Sequence, residues 1–402
     1  VAKVHFLPKS VYEKRYARIR EYLDANGLEA LVVLTPDNFF FVSNFTLDVA
    51  PWERPVAAVL PLNAEPFLVM NELSQNHLRM AQEMGKLWIE DWTYYVEHPR
   101  QVNRRWTTPQ WTALLAEKLE ERGIVRGKLA VDGSAASIQS VKNYLPKLEF
   151  ENAHDLLIRL RRVKEEHELQ LVRWGAEITD FGQERFRENV KPGRYMIEVD
   201  WQTRMQMAVE VARRFPDEEV IFGATRSGNG PCSSAPHGSP GGYGRKIAVG
   251  DVIVNLPTLR FNGIAVENER TWIVGKPTSD LIVKAFNTAT AATTAGVEAA
   301  ITGNPVSAID AAAQKVIEDA GFGDNIIHRT GHGMGIAGHG FPEDMPFNNR
   351  PLETNELYSV EPGIYIWGVG GFRHDDTVIV KPGKAENVIK SPRTLAEQTI
   401  PV

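Results

Sequence analysis

Residues 155–189 contain no proline and carry charges at helical spacing, and the patterns on the two sides of this segment differ. Such a segment reads as a linking helix, broken near Lys164, that leads into the first helix of a second domain. The chain is thereby constrained to two bodies of unequal size, 1–155 and 156–402. Its 402 residues give each of them room for its own core.

Before residue 155, helix and strand alternate. Ser10 is a candidate cap for a helix with Tyr12, Tyr16, Ile19 and Leu23 at helical spacing, which Asn26-Gly27 ends. Residues 30–34, 56–60 and 66–70 read as buried strands. Thr108-Pro109 opens a helix to about Gly123, and residues 129–132 start another strand. This alternation predicts an α/β layer domain. After residue 189, helices over 195–215 and 307–320 alternate with short strands over 252–256, 271–274, 358–360 and 377–380. Residues 190–193 and 301–305 each precede an amphipathic helix, a weak internal repeat.

Composition excludes several function classes. With one cysteine, Cys232, neither an intrachain disulfide nor a thiolate zinc site can form, so a metal would need His and carboxylate ligands. The net charge of −6 gives no basic excess for nucleic acid or an anionic membrane. No apolar run reaches the roughly 18 residues of a membrane span, and the first residues form no signal core, so a cytoplasmic protein is expected.

Polar residues gather in four clusters between Cys232 and Asp376. In the first, His237 follows Pro236 ahead of a glycine-rich stretch, where a loop imidazole is either aimed into a cleft or simply exposed. In the second, residues 250–255 and 267–271 read as an antiparallel pair. Glu267 and Glu269 would share a face there and need a cation between them, unless the strand is a solvated edge. In the third, glycines flank His332 in Gly331-His332-Gly333-Met334-Gly335, with His339 seven residues beyond. The fourth joins Glu361, after an apolar strand, to Arg373 and Asp375 ahead of another. Asn255, Glu267, His332, Glu361 and Asp375 form an oxygen-rich set with one imidazole, which suits Mn²⁺, Co²⁺, Fe²⁺ or Zn²⁺.

Six motifs occur in order: PH at 236–237, GD at 250–251, RT at 270–271, GHGMG at 331–335, EPGIY at 361–365 and GGFRHDDT at 370–377. Together they resemble the creatinase / aminopeptidase P / prolidase family, the M24-like pita-bread fold, and residues 160–176 are similar to that family's linker. The resemblance implies an α/β N-terminal domain plus an α+β pita-bread catalytic domain with a curved, mostly antiparallel sheet, and a homodimer. The peptidase branch carries a dinuclear site of Asp, Asp, His, Glu and Glu, which falls here on Asn255, Glu267, His332, Glu361 and Asp375. Only His332 and Glu361 match in type. Asn255 is neutral, and an extra residue separates it from Glu267. The resemblance therefore implies a weakened two-ion site, with one divalent ion or none.

These departures lean toward the creatinase branch, and the first reading is a hydrolase that cleaves a C–N bond in a small, cationic, carboxylate-bearing substrate without a cofactor. By resemblance His237 would shuttle the proton, with His332, His339 and Glu361 also catalytic. Glu269 and Glu361 would hold the positive end of the substrate, Arg54 its carboxylate across a dimer interface, and Trp52 and Arg373 would line the substrate site. The second reading is a metal-dependent Xaa-Pro dipeptidase or aminopeptidase with altered ligands: Glu267, His332, Glu361 and Asp375 on the ion, His237 and His339 positioning the substrate. The third is a non-catalytic binding module, against which the retained His237, His332, His339 and Arg373 argue.

Overall fold

The computed structural model describes residues 7–97, 107–133, 136–223, 227–236, 244–340 and 345–402. The chain divides between Arg161 and Arg162 into two compact units. The first holds helices α1 (Lys9–Ala25), α2 (Pro36–Ser43), α3 (Gln75–Glu83), α4 (Thr107–Glu121) and α5 (Ala136–Gln139). Its strands are β1 (Leu28–Val33), β2 (Ala57–Pro61), β3 (Phe67–Asn71), β4 (Trp92–Tyr95), β5 (Arg126–Val131) and β6 (Lys147–Asn152), and α6 (His154–Arg162) closes it. The strands form a mixed sheet in the order β4-β3-β2-β1-β5-β6, with β2 antiparallel to β1 and β3 and the other neighbours parallel. Trp111, Leu115 and Leu119 project from α4 at helical spacing and pack on Val32, Val59 and Val69 of the sheet, giving the expected α/β layer.

Local details differ from the sequence reading. Ser10 lies inside α1, which starts at Lys9 after Pro8 and has no side-chain cap. Thr108, expected as the cap with Pro109 at the first helical position, lies inside α4, which begins at Thr107. The units separate after residue 161, later than the 155/156 boundary expected from sequence. Arg161, at the end of α6, faces the charges of Asp37 and Asp132 and so belongs electrostatically to the first unit.

The second unit begins with the predicted break. Residues 163–165 interrupt the helical run, and a capping box between Glu165 and Glu168 starts α7 (Glu166–Asn189). Then come α8 (Met196–Arg214), β7 (Val220–Phe222), β8 (Gly228–Asn229), β9 (Val252–Asn255), β10 (Thr258–Phe261), β11 (Ile264–Val274), α9 (Asp280–Ala299) and α10 (Ser307–Asp319). The unit ends with β12 (Gly331–Gly333), β13 (Leu357–Val360), β14 (Gly363–Ile366), β15 (Gly370–Arg373), β16 (Asp375–Ile379), β17 (Glu386–Asn387) and β18 (Thr399–Ile400). The main sheet runs β12-β13-β16-β11-β10-β7, with β9 also on β11. Its pairings are antiparallel except for that of β18 with β11. This is the expected α+β, largely antiparallel catalytic fold. No helix among the described residues is long and apolar enough to cross a membrane.

Strand β11 was open to reading as a solvated edge. It is central instead: β9, β10, β16 and β18 all pair with it, and Glu269 through Val274 are buried. Its acids are therefore desolvated and must find partners from other strands.

Candidate active site

Strand alternation sorts the charges of β11 onto two faces. Glu267 and Glu269 share one face, and the register sets Asp375 of β16 directly opposite Glu269, on that same face. Asn268, Arg270 and Asp376 lie on the other. There the buried Arg270 donates to Asp376 Oδ1 (2.9 Å) and to the carbonyls of Glu269 (2.7 Å) and Asp375 (3.0 Å), which clamps the two acid-bearing strands from behind. Thr271 ties in a third strand: its hydroxyl accepts from Arg373 N (2.9 Å) and donates to Arg373 O (3.0 Å).

His332 arrives on β12, whose neighbour β13 leads into Glu361. A side chain at Gly331 would collide with the carbonyl oxygen of Ser359, so the glycine permits the strand approach that brings His332 to the acids. His332 Nε2 stands 3.3 Å from Glu361 Oε1 and 3.5 Å from Glu267 Oε2. The His339 ring stacks on it with centroids 3.8 Å apart. These groups border a cavity of ≈ 130 Å³, with Glu267 and Glu361 as acids, His328, Arg329 and Arg373 as further polar walls, and Pro236 and Leu256 as apolar ones.

Arg373 is fully buried and committed. Nε pairs with Glu269, Nη2 lies 3.4 Å from Glu361 Oε2, and Nη1 donates to the Tyr365 hydroxyl (3.2 Å). The Tyr365 hydroxyl lies 2.8 Å from His328 Nε2, and His328 Nδ1 is 2.6 Å from the carbonyl of its neighbour Arg329. Nδ1 must donate to that carbonyl, so neutral His328 accepts from Tyr365. Burial, then the nearby Arg373 charge, lowers the His328 pKa and favours that neutral form.

Four carboxylates face one guanidinium and one imidazole. Burial opposes the charge of Glu361, but the Arg373 guanidinium and the His332 imidazole outweigh it and hold this carboxyl well below the usual range. Burial also opposes charge on His332, yet its bond to Glu361 and the nearby Glu267 raise its pKa. Burial pushes Glu269 up to about 7 against the pull of Arg373. Asp375 is raised well above its ordinary value by burial and then by Glu361, Glu267 and Glu269. Ser359 donates to Asp375 Oδ1 (3.0 Å), while the buried Oδ2 has no hydrogen-bond partner.

Residues 170–382 match the metallopeptidase family M24, and residues 15–163 match the creatinase/prolidase N-terminal domain. The chain belongs to the M24 family. Among M24 relatives, it is 26% identical over 386 residues to a putative dipeptidase, YkvY, of Bacillus subtilis, covering 95% of this chain and 99% of that one. It is 27% identical over 376 residues to an Xaa-Pro dipeptidase of Lactobacillus delbrueckii subsp. lactis, covering 91% and 94%. The crystal structure of the dipeptidase PepE from Mycobacterium ulcerans superposes with a TM-score of 0.80 at 27% identity, covering 99% of this chain and 100% of that one. The protein is accordingly a hydrolase of the M24 peptidase family. These relatives carry dipeptidase names, so the comparisons favour the peptidase reading over the creatinase-like one.

Within this M24 unit, Glu267, Glu269, His332, His339, Glu361, Arg373 and Asp375 come together. Asn255 is buried, its Nδ2 donating to Ser227 Oγ (2.9 Å) and its Oδ1 lacking a hydrogen-bond partner. His237 lies outside the described residues. In the first unit Trp52 is exposed, and Arg54 is held by Glu97 (2.8 Å) and Glu53 (2.9 Å). Glu269 and Glu361, expected to hold a positive substrate group, pair with the protein's own Arg373, which also lines the cavity. His328, Arg329 and Tyr365 were missed from sequence. A basic pair just before the GHGMG glycines and a tyrosine inside EPGIY were the available signals. Among the described residues, no three His, Cys, Asp or Glu side chains are disposed to hold a metal ion as they stand.

Proposed function

We propose that the protein is a dipeptidase acting on Xaa-Pro peptides, with its centre at Glu267, His332, Glu361 and Asp375. The observation that carries this reading is the convergence of Glu267, Glu361 and His332 on one cavity, with the buried Asp375 beside them, within an M24 chain whose relatives are named dipeptidases. The committed state of Arg373 supports it further. The protein's own guanidinium sits between Glu269 and Glu361, the pair that a guanidinium substrate would need.

The donors fit one divalent ion better than two. Glu267, Glu361, Asp375 and His332 would hold it. Burial and the neighbouring Glu361, Glu267 and Glu269 raise Asp375, a repulsion among close acids that a divalent cation would relieve. The neutral Asn255 removes a carboxylate from the second position. When bound, such an ion supplies Lewis acidity toward the scissile carbonyl and acidifies water. The chain's own residues do the rest. Arg373 keeps Glu361 ionised, Tyr365 and neutral His328 fix the Arg373 guanidinium, and exposed His339, stacked on His332, offers a donor to the substrate at the mouth of the cavity.

The test is release of free proline from Ala-Pro by the purified protein. The reading expects release that a chelator abolishes and Mn²⁺ restores. Absence of release under all metal conditions overturns it.

A further inference from the structure

We propose that the outer face of α8 docks on the same helix of a second copy of this chain, as an antiparallel helix pair across a two-fold axis. The inference stands apart from the peptidase reading, because no residue of the centre takes part in it.

Helix α8 carries two apolar stripes. Met196, Val199, Met207 and Val211 are buried on its inner side, and Met207 packs so tightly on Gly182 of α7 that a Cβ there would collide with the sulfur. Ile197, Trp201, Met205 and Val209 recur at every fourth residue on the outer side and are 44%, 61%, 65% and 62% exposed. A surface helix needs one apolar stripe, facing its own core, so the second has no partner within the chain. No other helix among the described residues carries more than one exposed large apolar side chain. Trp201 is also held in place: the Arg204 guanidinium lies 5.1 Å from its ring centre and donates to the carbonyl of Phe222 (2.9 Å). A pre-set tryptophan is the side chain that most often anchors a protein interface.

This face is complementary to itself. A row of every fourth residue is a ridge that packs into the matching groove of a second helix. With Met205 on the two-fold axis of an antiparallel pair, Trp201 meets the partner's Val209, and the small Ala208 and Ala212 on the same face allow close approach. Glu198, in the first turn, then stands beside the partner's Arg213, in the last. Both are exposed and have capacity left: Glu198 uses Oε2 on the Tyr195 amide (2.7 Å), and Arg213 uses Nε and Nη2 on Glu210. A parallel pair would instead set Glu198 against Glu198 and Arg213 against Arg213, which like charges oppose. The four apolar side chains and these flanks offer roughly 600 Å² per copy, about 1,200 Å² in total, which reaches the lower edge of a specific interface.

The experiment is gel filtration with light scattering on the full chain at concentrations from about 1 to about 100 μM. The wild type should run at twice the chain mass. Trp201→Glu and Met205→Glu should each raise the dissociation constant about a hundredfold and shift the protein to the mass of a single chain, with unchanged circular dichroism. Trp367→Glu, at the exposed turn of the β14–β15 hairpin, should leave the mass at that of the wild type. With Cys232→Ser as background, Met205→Cys should link two copies on oxidation by diamide. Helices packed about 9 Å apart bring facing Cα atoms on the axis to about 4–5 Å, within reach of a disulfide. A wild type that stays a single chain at about 100 μM overturns the proposal and leaves this face to a different protein. A double mass that survives both Trp201→Glu and Met205→Glu puts the contact on another face and equally overturns it, as does loss of the double mass without a cross-link at 205.

Discussion

Replacing Arg270 by Met should cost the second unit about 4 kcal/mol of stability. Arg270 and Asp376 are both fully buried, and breaking a buried ion pair by removing one partner costs about 3–5 kcal/mol. The lower end applies, because Asp376 keeps Arg393 and the Asn387 amide (2.9 Å). Arg270 also donates to the carbonyls of Glu269, Asp375, Ser391 (3.2 Å) and Pro392 (3.1 Å). Losing these bonds adds about 1 kcal/mol, since a carbonyl left under-satisfied loses only part of a net bond of about that size. Urea unfolding followed by tryptophan fluorescence reads the change. With a slope of about 3 kcal/mol/M for a unit of this size, the midpoint should fall by about 1.3 M. Arg270→Lys should fall between wild type and Met. A midpoint for Arg270→Met within about 0.3 M of wild type, equal to about 1 kcal/mol at that slope, would refute the clamp.

Four further outcomes follow from the same geometry. Burial pushes Asp200 up to about 6, above its unfolded value of 3.8, despite bonds from Ser227. A raised carboxyl pKa stabilises the fold below the unfolded value and loses that contribution as pH rises through the folded one. Stability should therefore decline between about pH 4 and pH 6 by up to about 3 kcal/mol, and Asp200→Asn should flatten this slope in urea titrations across that range. Gly331→Ala should push β12 away from Ser359, costing about 1–3 kcal/mol in thermal melts and lowering kcat through displacement of His332. Glu361→Gln removes the acid shared by His332 and Arg373, and proline release should drop by about 10²-fold or more with the fold intact by circular dichroism. His237→Ala should likewise lose most proline release, and full retention would remove His237 from the substrate-positioning role that the resemblance gives it.

The fold was legible where local chemistry is strong. The break at Lys164, the extent of α8 and the glycines around His332 announce themselves through capping residues, periodicity and the room that a missing side chain leaves for close strand approach. Helix α2 did not, because Phe39, Phe40 and Phe41 run consecutively and present no amphipathic period. The alternating acids of β11 resemble a solvated edge until Asp375 and Arg373, about a hundred residues later, supply their neighbours. That long-range pairing is invisible in a local window. The set Glu267, His332, Glu361 and Asp375 could be assembled from motif order, but not the internal use of Arg373, nor the His328–Tyr365 support behind it, which depend on the β14–β15 hairpin bringing Tyr365 against His328.

Metal titration of the stripped protein, with turnover of Ala-Pro and of creatine followed side by side, tests the central claim most directly. Ala-Pro hydrolysis should rise with added Mn²⁺ and level off at about one bound ion per chain, the count expected of three carboxylates and one imidazole, while creatine stays intact. Metal-independent cleavage of creatine, with Ala-Pro untouched at every metal level, would contradict the account.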